Sequence, residues 1–458
     1  MLNYTRLTKV FFVFIAGVVL CFMGFYNRFP LLYPDSGTYI GSGWTGYVPN
    51  DRPIFYGLFL RHASLGDSLF LAIFVQGLIV ALLSYFWFKY FNSSKRKLLI
   101  YLSFIFLITF LTGASLNVSQ LIPDIFAATM IMSLILILFA PGLSWRDGSI
   151  ISLLLVLSIV VHNSHIYIVL LCILGYCGLL LFKSLRPYLL SYKVRLKRTL
   201  LAFGLLLFSI VSIPSVHYFY GGGFMLSKGS QIFMMGRLLQ LGIATKYLQD
   251  VCPEKGYKFC DHLENIPVNF LWDTTNSPLY KTGGWEANEE EYDAIIKDIL
   301  TTPRYLSLFI LRSLEATFQQ FFHFDLGDTT IKQHKESSPY KHFERFLPDQ
   351  TRNYEVSMQY NNQLNFDLAN VHQRYLLGIG LLLSILLLST NLIANEKKIM
   401  IGFLMICLLA NAAICGSLSG VLFRYQCRVM WLVLLPLFVV LCDDNILKKV
   451  NSFIRKTP

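Results

Sequence analysis

The distribution of apolar residues constrains the fold of this chain more than any other feature. About ten runs are candidate spanning helices, since crossing a bilayer takes about 20 mostly apolar residues. They cover residues 8–28, 66–90, 98–115, 124–142, 148–161, 166–182, 199–219, 373–393, 399–418 and 429–443. The runs 148–161 and 166–182 are short and separated only by His162-Asn163-Ser164-His165, which indicates tilted or re-entrant helices. The expected fold is an all-α polytopic membrane protein.

Composition and charge support the same fold class. Hydrophobic residues make up 55% of the 458 residues and charged residues 14%, which excludes an ordinary soluble globular chain. The formal net charge is +12, but its basic residues lie mainly in short loops, which resist translocation. With ten helices, one face receives Arg6, Lys9, Lys95, Arg96, Lys97, Arg146, Lys183, Arg186, Lys193, Arg195, Lys197, Arg198, Lys397, Lys398, Lys448, Lys449, Arg455 and Lys456. We expect that face to be cytoplasmic, in contact with anionic membrane lipids, and we expect no nucleic-acid partner.

The polar segments define the domain organisation. The first run has no small-residue cleavage site after it and is therefore expected to remain as helix one. Residues 1–219 then form helices one to seven, with an outer loop at 29–65, and residues 373–458 form helices eight to ten and a basic cytoplasmic tail. Residues 220–372 are predicted to be a mainly helical extracytoplasmic domain. Its predicted helices cover 231–249, 289–300 and 305–322, the last amphipathic and suited to a membrane surface.

Two of the nine cysteines, Cys252 and Cys260, lie in this predicted outer domain rather than in an apolar helix. An oxidising compartment permits a disulfide there, and closing so small a ring contributes about 2.5 kcal/mol in the chain-entropy model. The alternative is a metal site, which requires more than two ligands. A disulfide is the favoured interpretation.

Asp35 is the most prominent candidate for chemistry. It follows the first apolar run, at the expected membrane edge, and Tyr33, Tyr39 and Trp44 flank it. A carboxylate among aromatic rings is typical of a site that binds a sugar. Two plainer interpretations stay open: Pro34-Asp35-Ser36-Gly37 is a turn sequence, and aromatic residues gather at any membrane interface.

Further polar residues fall at the outer ends of the predicted helices, and each has a structural alternative. Together with Asp35 they are expected to converge, and they comprise Arg52, Gln120, Asp124, His162, His165, His217, Arg424, Gln426 and Arg428. Asp124 is placed to cap helix four. The two histidines are placed to bond loop carbonyls, and the two last arginines to anchor a helix at the interface.

With Asp35 just after helix one and a large outer domain after helix seven, the chain resembles bacterial polytopic glycosyltransferases of the GT-C type. These enzymes use a polyprenyl-phosphate-linked sugar as donor. Three further segments are similar to bacterial inner-membrane proteins of this layout: Gln120-Leu121-Ile122-Pro123-Asp124-Ile125-Phe126-Ala127, His162-Asn163-Ser164-His165 and Arg424-Tyr425-Gln426-Cys427-Arg428. The resemblance implies both termini in the cytoplasm, the large loop in the periplasm, and a glycan, lipid or protein acceptor.

The resemblance also implies roles for the candidate residues. Asp35 would be the general base that takes the proton of the acceptor hydroxyl. Arg424 and Arg428, with Arg52, His162 and His165 as second choices, would stabilise the leaving phosphate. Direct displacement inverts the anomeric centre, whereas a second carboxylate acting as nucleophile, for which Asp124 is the candidate, retains it. The sugar and acceptor site would include Tyr33, Tyr39, Trp44 and Gln120, and a divalent cation (Mg or Mn) is used by some members.

Two other classes remain open. An O-antigen-type polymerase or ligase shares the lipid-linked donor but depends on outer arginines more than on a first-loop carboxylate. A lipid-linked glycan transporter or flippase would need charged residues in the middle of its helices, where this sequence has almost none.

Overall fold

The computed structural model describes residues 6–328, 330–444 and 446. The basic residues Lys448, Lys449, Arg455 and Lys456 lie outside the described residues. Within those limits the chain is helical and contains no β-strand, as expected for an all-α protein. Extended pairing is confined there to an isolated parallel bridge between Leu31 and Gln120.

The chain forms two compact units. Unit 1 comprises residues 1–226, 324–410 and 423–458, and unit 2 comprises residues 227–323 and 411–422. The structure thus divides the predicted outer domain at 220–372 differently, because residues 324–372 pack with the apolar helices of unit 1. A continuous polar stretch does not indicate which half of it packs against the apolar helices.

The helices of the described chain follow the apolar runs. Up to residue 219 they are α1 (Arg6–Leu20), α2 (Phe22–Tyr26), α3 (Ser36–Thr45), α4 (Phe55–Ala63), α5 (Leu69–Phe91), α6 (Lys97–Leu111), α7 (Ala114–Ser119), α8 (Ile125–Phe139), α9 (Trp145–Val160), α10 (Asn163–Leu181) and α11 (Tyr192–Phe219). The next five are α12 (Ser230–Gln240), α13 (Ile243–Val251), α14 (Pro278–Lys281), α15 (Gly284–Thr301) and α16 (Pro303–Phe321). The last six are α17 (Ser338–Phe346), α18 (Pro348–Glu355), α19 (Asp367–Ser389), α20 (Asn395–Leu418), α21 (Arg424–Met430) and α22 (Leu434–Leu441).

Six helical segments of the described chain are long and apolar enough to cross a membrane, which is compatible with a multi-pass membrane protein. They are Leu69–Phe91, Asn163–Leu181, Lys193–Phe219, Asp367–Ser389, Asn395–Leu418 and Arg424–Leu441. The runs 98–115 and 124–142 form the shorter apolar helices α6 and α8, and the runs 8–28 and 148–161 form α1, α2 and α9. Every predicted run is therefore helical, while a count of ten spans stays a prediction.

The helix α8 lies in the centre of unit 1. Every residue from Ile125 to Leu138 is buried, as expected for a helix that is hydrophobic on all sides. The segment Arg424–Leu441 is similarly buried and packs against α8. Asp124 directly precedes α8 and Arg424 begins the second segment, so the start of each carries a predicted site residue.

The short helices α3 and α4 form a closely packed layer behind Asp35. A Cβ on Gly43 of α3 would lie 2.2 Å from the carbonyl oxygen of Gly57 of α4, so a glycine there permits the backbones to touch. On the other side, a Cβ on Gly37 would lie 2.6 Å from the backbone of α17 at Pro339. The glycines fix α3 between α4 and α17, and Asp35 precedes its first turn.

Unit 2 is a helical domain with its own apolar core. Buried side chains from α12, α13, α15 and the first turn of α16 meet there, among them Leu238, Leu248, Tyr292, Ile295 and Tyr305. The predicted helix at 231–249 is two helices, because Gly242 has a left-handed conformation (φ 71°) that ends α12 and starts α13. The predicted helices at 289–300 and 305–322 correspond to α15 and α16. The structure joins Cys252 and Cys260 in a disulfide.

Candidate functional site

Backbone hydrogen bonds hold the segment before Asp35 against the segment before Asp124. The Leu31 N–H donates to the Ser119 carbonyl at 2.8 Å, and the Leu121 N–H donates to the Leu31 carbonyl at 3.0 Å. The hydroxyl of Ser36 continues this pairing by donating to the Leu121 carbonyl at 2.9 Å. The two loops that carry the predicted carboxylates are therefore joined along their length.

A buried glutamine completes this support. The side-chain amide of Gln359 donates to the Leu32 carbonyl at 2.6 Å and accepts from the Leu32 N–H at 2.9 Å, as a neighbouring strand would. Gln359 was not predicted from the sequence, because its neighbouring residues do not indicate a contact with Leu32, which lies 327 positions away.

The carboxylate of Asp35 accepts hydrogen bonds from two arginines. Nη2 of Arg52 lies 3.2 Å from Oδ1, and Nη1 of Arg424 lies 3.3 Å from Oδ2. The Asp35 side chain is 26% exposed, whereas those of Arg52 and Arg424 are 12% and 14% exposed. Two nearly buried cations thus flank a carboxylate that solvent still reaches.

Aromatic faces and a second acid complete the surroundings of these arginines. The Arg424 guanidinium lies 4.4 Å from the Tyr33 ring centroid and 4.9 Å from that of Tyr425. The Arg52 guanidinium lies 5.1 Å from the Tyr39 ring centroid and pairs with the Asp51 carboxylate. Such contacts keep a partly desolvated cation in place, so Tyr33 and Tyr39 hold the arginines in this structure.

The pKa of Asp35 reflects these opposing influences. Burial raises the pKa of the carboxyl group, but the positive charges and hydrogen bonds of Arg52 and Arg424 outweigh burial and lower the pKa below its usual value. Asp35 is therefore ionised throughout the neutral range. Its lone pairs are directed at guanidinium groups.

Asp124 and Arg428 form a second ion pair deeper in the protein. Arg428 Nη1 lies 2.9 Å from Asp124 Oδ1, and the two side chains are 0% and 2% exposed. Asp124 precedes α8, yet its side chain makes no capping hydrogen bond, so its role is to neutralise Arg428 rather than to cap the helix. Among the described residues, Asp124 Oδ2 has no hydrogen-bond partner. The Tyr425 ring, 5.3 Å from the Arg428 guanidinium, lies against both Arg424 and Arg428.

The two histidines occupy the loop and first turn of α10, with ring centroids 5.2 Å apart. His162 caps the helix by accepting from the Ser164 N–H at 3.2 Å. Burial first, and then the positive charges of Arg428, Arg424 and Arg52, lower the pKa of His162 to about 3, so the ring is neutral. Nδ1 of the fully buried His165 lies 2.6 Å from the Ser158 carbonyl and donates to it, while Nε2 has no hydrogen-bond partner within the described chain.

The remaining predicted residues contribute differently. Gln120 is buried, and its carbonyl accepts from the Gln76 side chain at 3.2 Å, so its backbone supports the loop that leads to Asp124. Trp44 is half-buried at the far end of α3, and its side chain makes no hydrogen bond or ring contact with the described residues. The structure therefore gathers Asp35, Arg52, Arg424, Tyr33 and Tyr39 in direct contact, and leaves Trp44 apart from those contacts.

No cation site is evident at this position. Across residues 6–328, 330–444 and 446, no group of three or more His, Cys, Asp or Glu side chains is arranged to hold a metal ion. The carboxylates of Asp35 and Asp124 instead neutralise arginines. What the site offers is a fixed cluster of guanidinium groups around one accessible carboxylate, which is an arrangement suited to binding phosphate.

Comparisons with protein-family models, with curated proteins and with solved structures found no match to this chain.

Proposed function

We propose that this protein is a membrane glycosyltransferase that moves a sugar from a polyprenyl-phosphate-linked donor to an acceptor hydroxyl on the periplasmic side of a bacterial inner membrane. The observation that carries the proposal is the contact of one accessible carboxylate, Asp35, with two nearly buried arginines, Arg52 and Arg424. The reaction needs these elements: a base for the acceptor hydroxyl and cations for the phosphate that leaves. A ten-span GT-C-like layout, with both termini cytoplasmic, would put this cluster at the outer surface.

The ion pairs define a resting state of the proposed site. A carboxylate that accepts from two guanidinium groups is a weak base, because its pKa is lowered and its lone pairs are occupied. A donor phosphate would compete for the same N–H groups of Arg52 and Arg424, since both arginines can bind phosphate oxygens in place of Asp35. Donor binding would thereby release Asp35 to accept the acceptor proton. The proposed mechanism is direct displacement with inversion at the anomeric carbon.

The second ion pair would support the phosphate site. Arg428 lies one helical turn after Arg424, and Tyr425 contacts both guanidinium groups. Asp35, Asp51 and Asp124 together balance the charges of Arg52, Arg424 and Arg428, so a donor phosphate would bind by taking the place of Asp35. Asp124 would serve as a fixed counter-ion, since its side chain is buried and paired.

Replacement of the base tests the proposal. In purified protein supplied with a panel of polyprenyl-phosphate-linked sugars, Asp35→Asn should lower donor turnover at least about 100-fold, the lower end of what a positioned base contributes. The matched control is Asp147→Asn, which removes a carboxylate that lies in the first turn of α9 and pairs with Lys89. Equal turnover by wild type and Asp35→Asn would reject the assignment of the base.

The arginine-rich surroundings favour one second candidate, an O-antigen-type polymerase or ligase. In that reaction class Asp35 would only position Arg52 and Arg424, and the guanidinium groups would act on the diphosphate. Full loss of turnover in Arg424→Ala, combined with substantial turnover in Asp35→Asn, would favour it. A transporter, by contrast, would move a lipid-linked glycan in liposomes without forming a glycosidic bond.

A further inference from the structure

Helix α16 in unit 2 packs by one face and leaves the opposite face apolar. Tyr305, Ala316 and Gln320 are buried, and Leu308 and Phe309 pack against the apolar core of unit 2. On the other side lie five large apolar side chains, each more than half exposed: Ile310, Leu311, Leu314, Phe318 and Phe322. We call these five residues the α16 stripe.

Helix geometry makes the stripe continuous. At about 100° per residue, the four positions within α16 fall within an arc of about 100°, centred opposite the buried face, and Phe322 follows directly after the helix. The neighbouring helix α15 shows the ordinary alternative, since its exposed positions include Glu289, Glu290, Asp293 and Lys297. Isolated exposed apolar residues need no explanation, whereas a contiguous row of five indicates an apolar partner.

The position of α16 identifies that partner as lipid. Gln320 exchanges two hydrogen bonds with Leu422, donating to its carbonyl at 2.8 Å and accepting from its N–H at 2.9 Å. A Cβ on Gly416 would lie 2.8 Å from the Ala316 carbonyl, so α16 touches the last turn of α20. The guanidinium of Arg237 donates to the Gly416 carbonyl there as well.

Helix α20 is one of the segments able to cross a membrane. Its 24 residues correspond to about 36 Å, slightly more than the apolar core of about 30 Å. Its last turn therefore lies at the boundary between acyl chains and headgroups. Because α16 is joined to that turn, its exposed stripe starts at the same depth.

We propose that α16 lies in the membrane surface, with the α16 stripe inserted among the lipid acyl chains at the headgroup boundary. The helix has the pattern that favours this position, with one apolar face, charged Arg304, Arg312 and Glu315 beside it, and an anchor at the end of a spanning helix. The inference is independent of the proposed sugar transfer, because it uses neither Asp35 nor the arginines around it.

Site-specific photo-crosslinking of the full chain tests the proposal. The photoreactive amino acid p-benzoyl-L-phenylalanine replaces Leu314 or Phe318, and the protein is reconstituted in nanodiscs of phosphatidylethanolamine and phosphatidylglycerol. Asp293, which is exposed on α15, is the matched control position. After irradiation, mass spectrometry of the intact protein should show lipid adducts at least about tenfold more abundant at 314 and 318 than at 293, since only an inserted face meets acyl chains.

The other outcomes would overturn the inference. Covalent dimers from position 314 or 318 would show that the stripe meets a second copy of the chain. Lipid adducts no more frequent than at 293 would show that the stripe lies away from the bilayer. A limited-proteolysis pattern unchanged from that of the wild type shows in each variant that unit 2 keeps its fold.

Discussion

Nη1 of Arg424 lies 3.3 Å from Oδ2 of Asp35, which joins two residues 389 positions apart in the chain. Asp35 precedes α3, behind the first apolar helices, and Arg424 begins the last apolar segment. Their contact brings the first and the last of the apolar helices into one cluster. It is also the contact on which the proposed chemistry depends, because it joins the residue proposed as the base to an arginine proposed to bind the donor phosphate.

The proposed role of Arg424 at the leaving phosphate predicts a graded response to substitution. Arg424→Ala should lower turnover of a polyprenyl-phosphate-linked donor about 100- to 1,000-fold, because a fixed cation at the leaving phosphate is lost. Arg424→Lys should recover part of this loss, since a lysine restores the positive charge but cannot form the bidentate hydrogen bonds of a guanidinium group. Turnover with each donor is followed by thin-layer chromatography. Arg312→Ala, which removes an exposed arginine paired with Glu315, is the control; equal losses in both alanine variants would contradict the role.

The buried pair of Asp124 and Arg428 predicts a stability effect with a rescue. Arg428→Met should lower the free energy of unfolding by about 3–5 kcal/mol, because Asp124 would be left as a buried, uncompensated charge. Adding Asp124→Leu should recover most of that loss, since it removes the remaining charge. Unfolding in mixed micelles titrated with dodecyl sulfate, followed by circular dichroism, measures both. A double variant less stable than Arg428→Met would show that Asp124 has another buried partner.

The close approach of α3 and α4 predicts that a single methyl group disturbs the site. Gly43→Ala would put a Cβ 2.2 Å from the Gly57 carbonyl, which forces the helices apart. We expect a loss of about 1–3 kcal/mol in unfolding free energy, and lower donor turnover because α3 and α4 flank the loop that carries Arg52. Gly204→Ala on α11 is the control, since within the described chain no atom outside the backbone of its own helix lies within 4 Å of the added Cβ. Normal turnover in Gly43→Ala would mean that the site tolerates this shift.

The lowered pKa of Asp35 sets a pH dependence of stability. A carboxyl group whose folded pKa lies below its unfolded value of about 3.9 stabilises the folded state fully above that value. The contribution is lost only as pH falls through the folded pKa. The difference in unfolding midpoint between wild type and Asp35→Asn should therefore stay constant from about pH 8 to about pH 5 and shrink below about pH 4. A difference that disappears near pH 6 would indicate a raised pKa instead.

The positions of the apolar helices followed from the sequence, because a long apolar run has to be buried in protein or in lipid, whereas the short helices α3, α4, α17 and α18 were not predicted. Burial of α8 on all sides is an example. The break between α12 and α13 did not follow, since Gly242 disrupts an otherwise regular apolar spacing through its backbone conformation. Likewise, the sequence suggested that outer-end polar residues converge, and Asp35 with Arg52 and Arg424 does so.

Pairings between distant residues could not be derived in the same way. Arg428 pairs with Asp124 rather than with Asp35 because of the way in which α21 packs against α8. The support of Leu32 by Gln359 depends on where residues 324–372 fold back on unit 1. Both are consequences of tertiary packing, to which a local pattern of polar and apolar residues is insensitive.

The disulfide in unit 2 predicts a specific pattern of thiol reactivity. Seven cysteines are free and Cys252 and Cys260 are joined, so the denatured, unreduced protein should take up seven maleimide groups and the reduced protein nine. Intact-protein mass spectrometry distinguishes the two numbers.

Cys252→Ser should destabilise unit 2 by about 2.5 kcal/mol, because opening a short ring restores conformational freedom to the unfolded chain. Replacing the buried but unpaired Cys172 by alanine is the comparison, since it removes a thiol without opening a ring. Because such bonds persist in the periplasm and are reduced in the cytoplasm, nine reactive thiols in protein isolated without reductant would place this loop on the cytoplasmic side and reverse the proposed orientation.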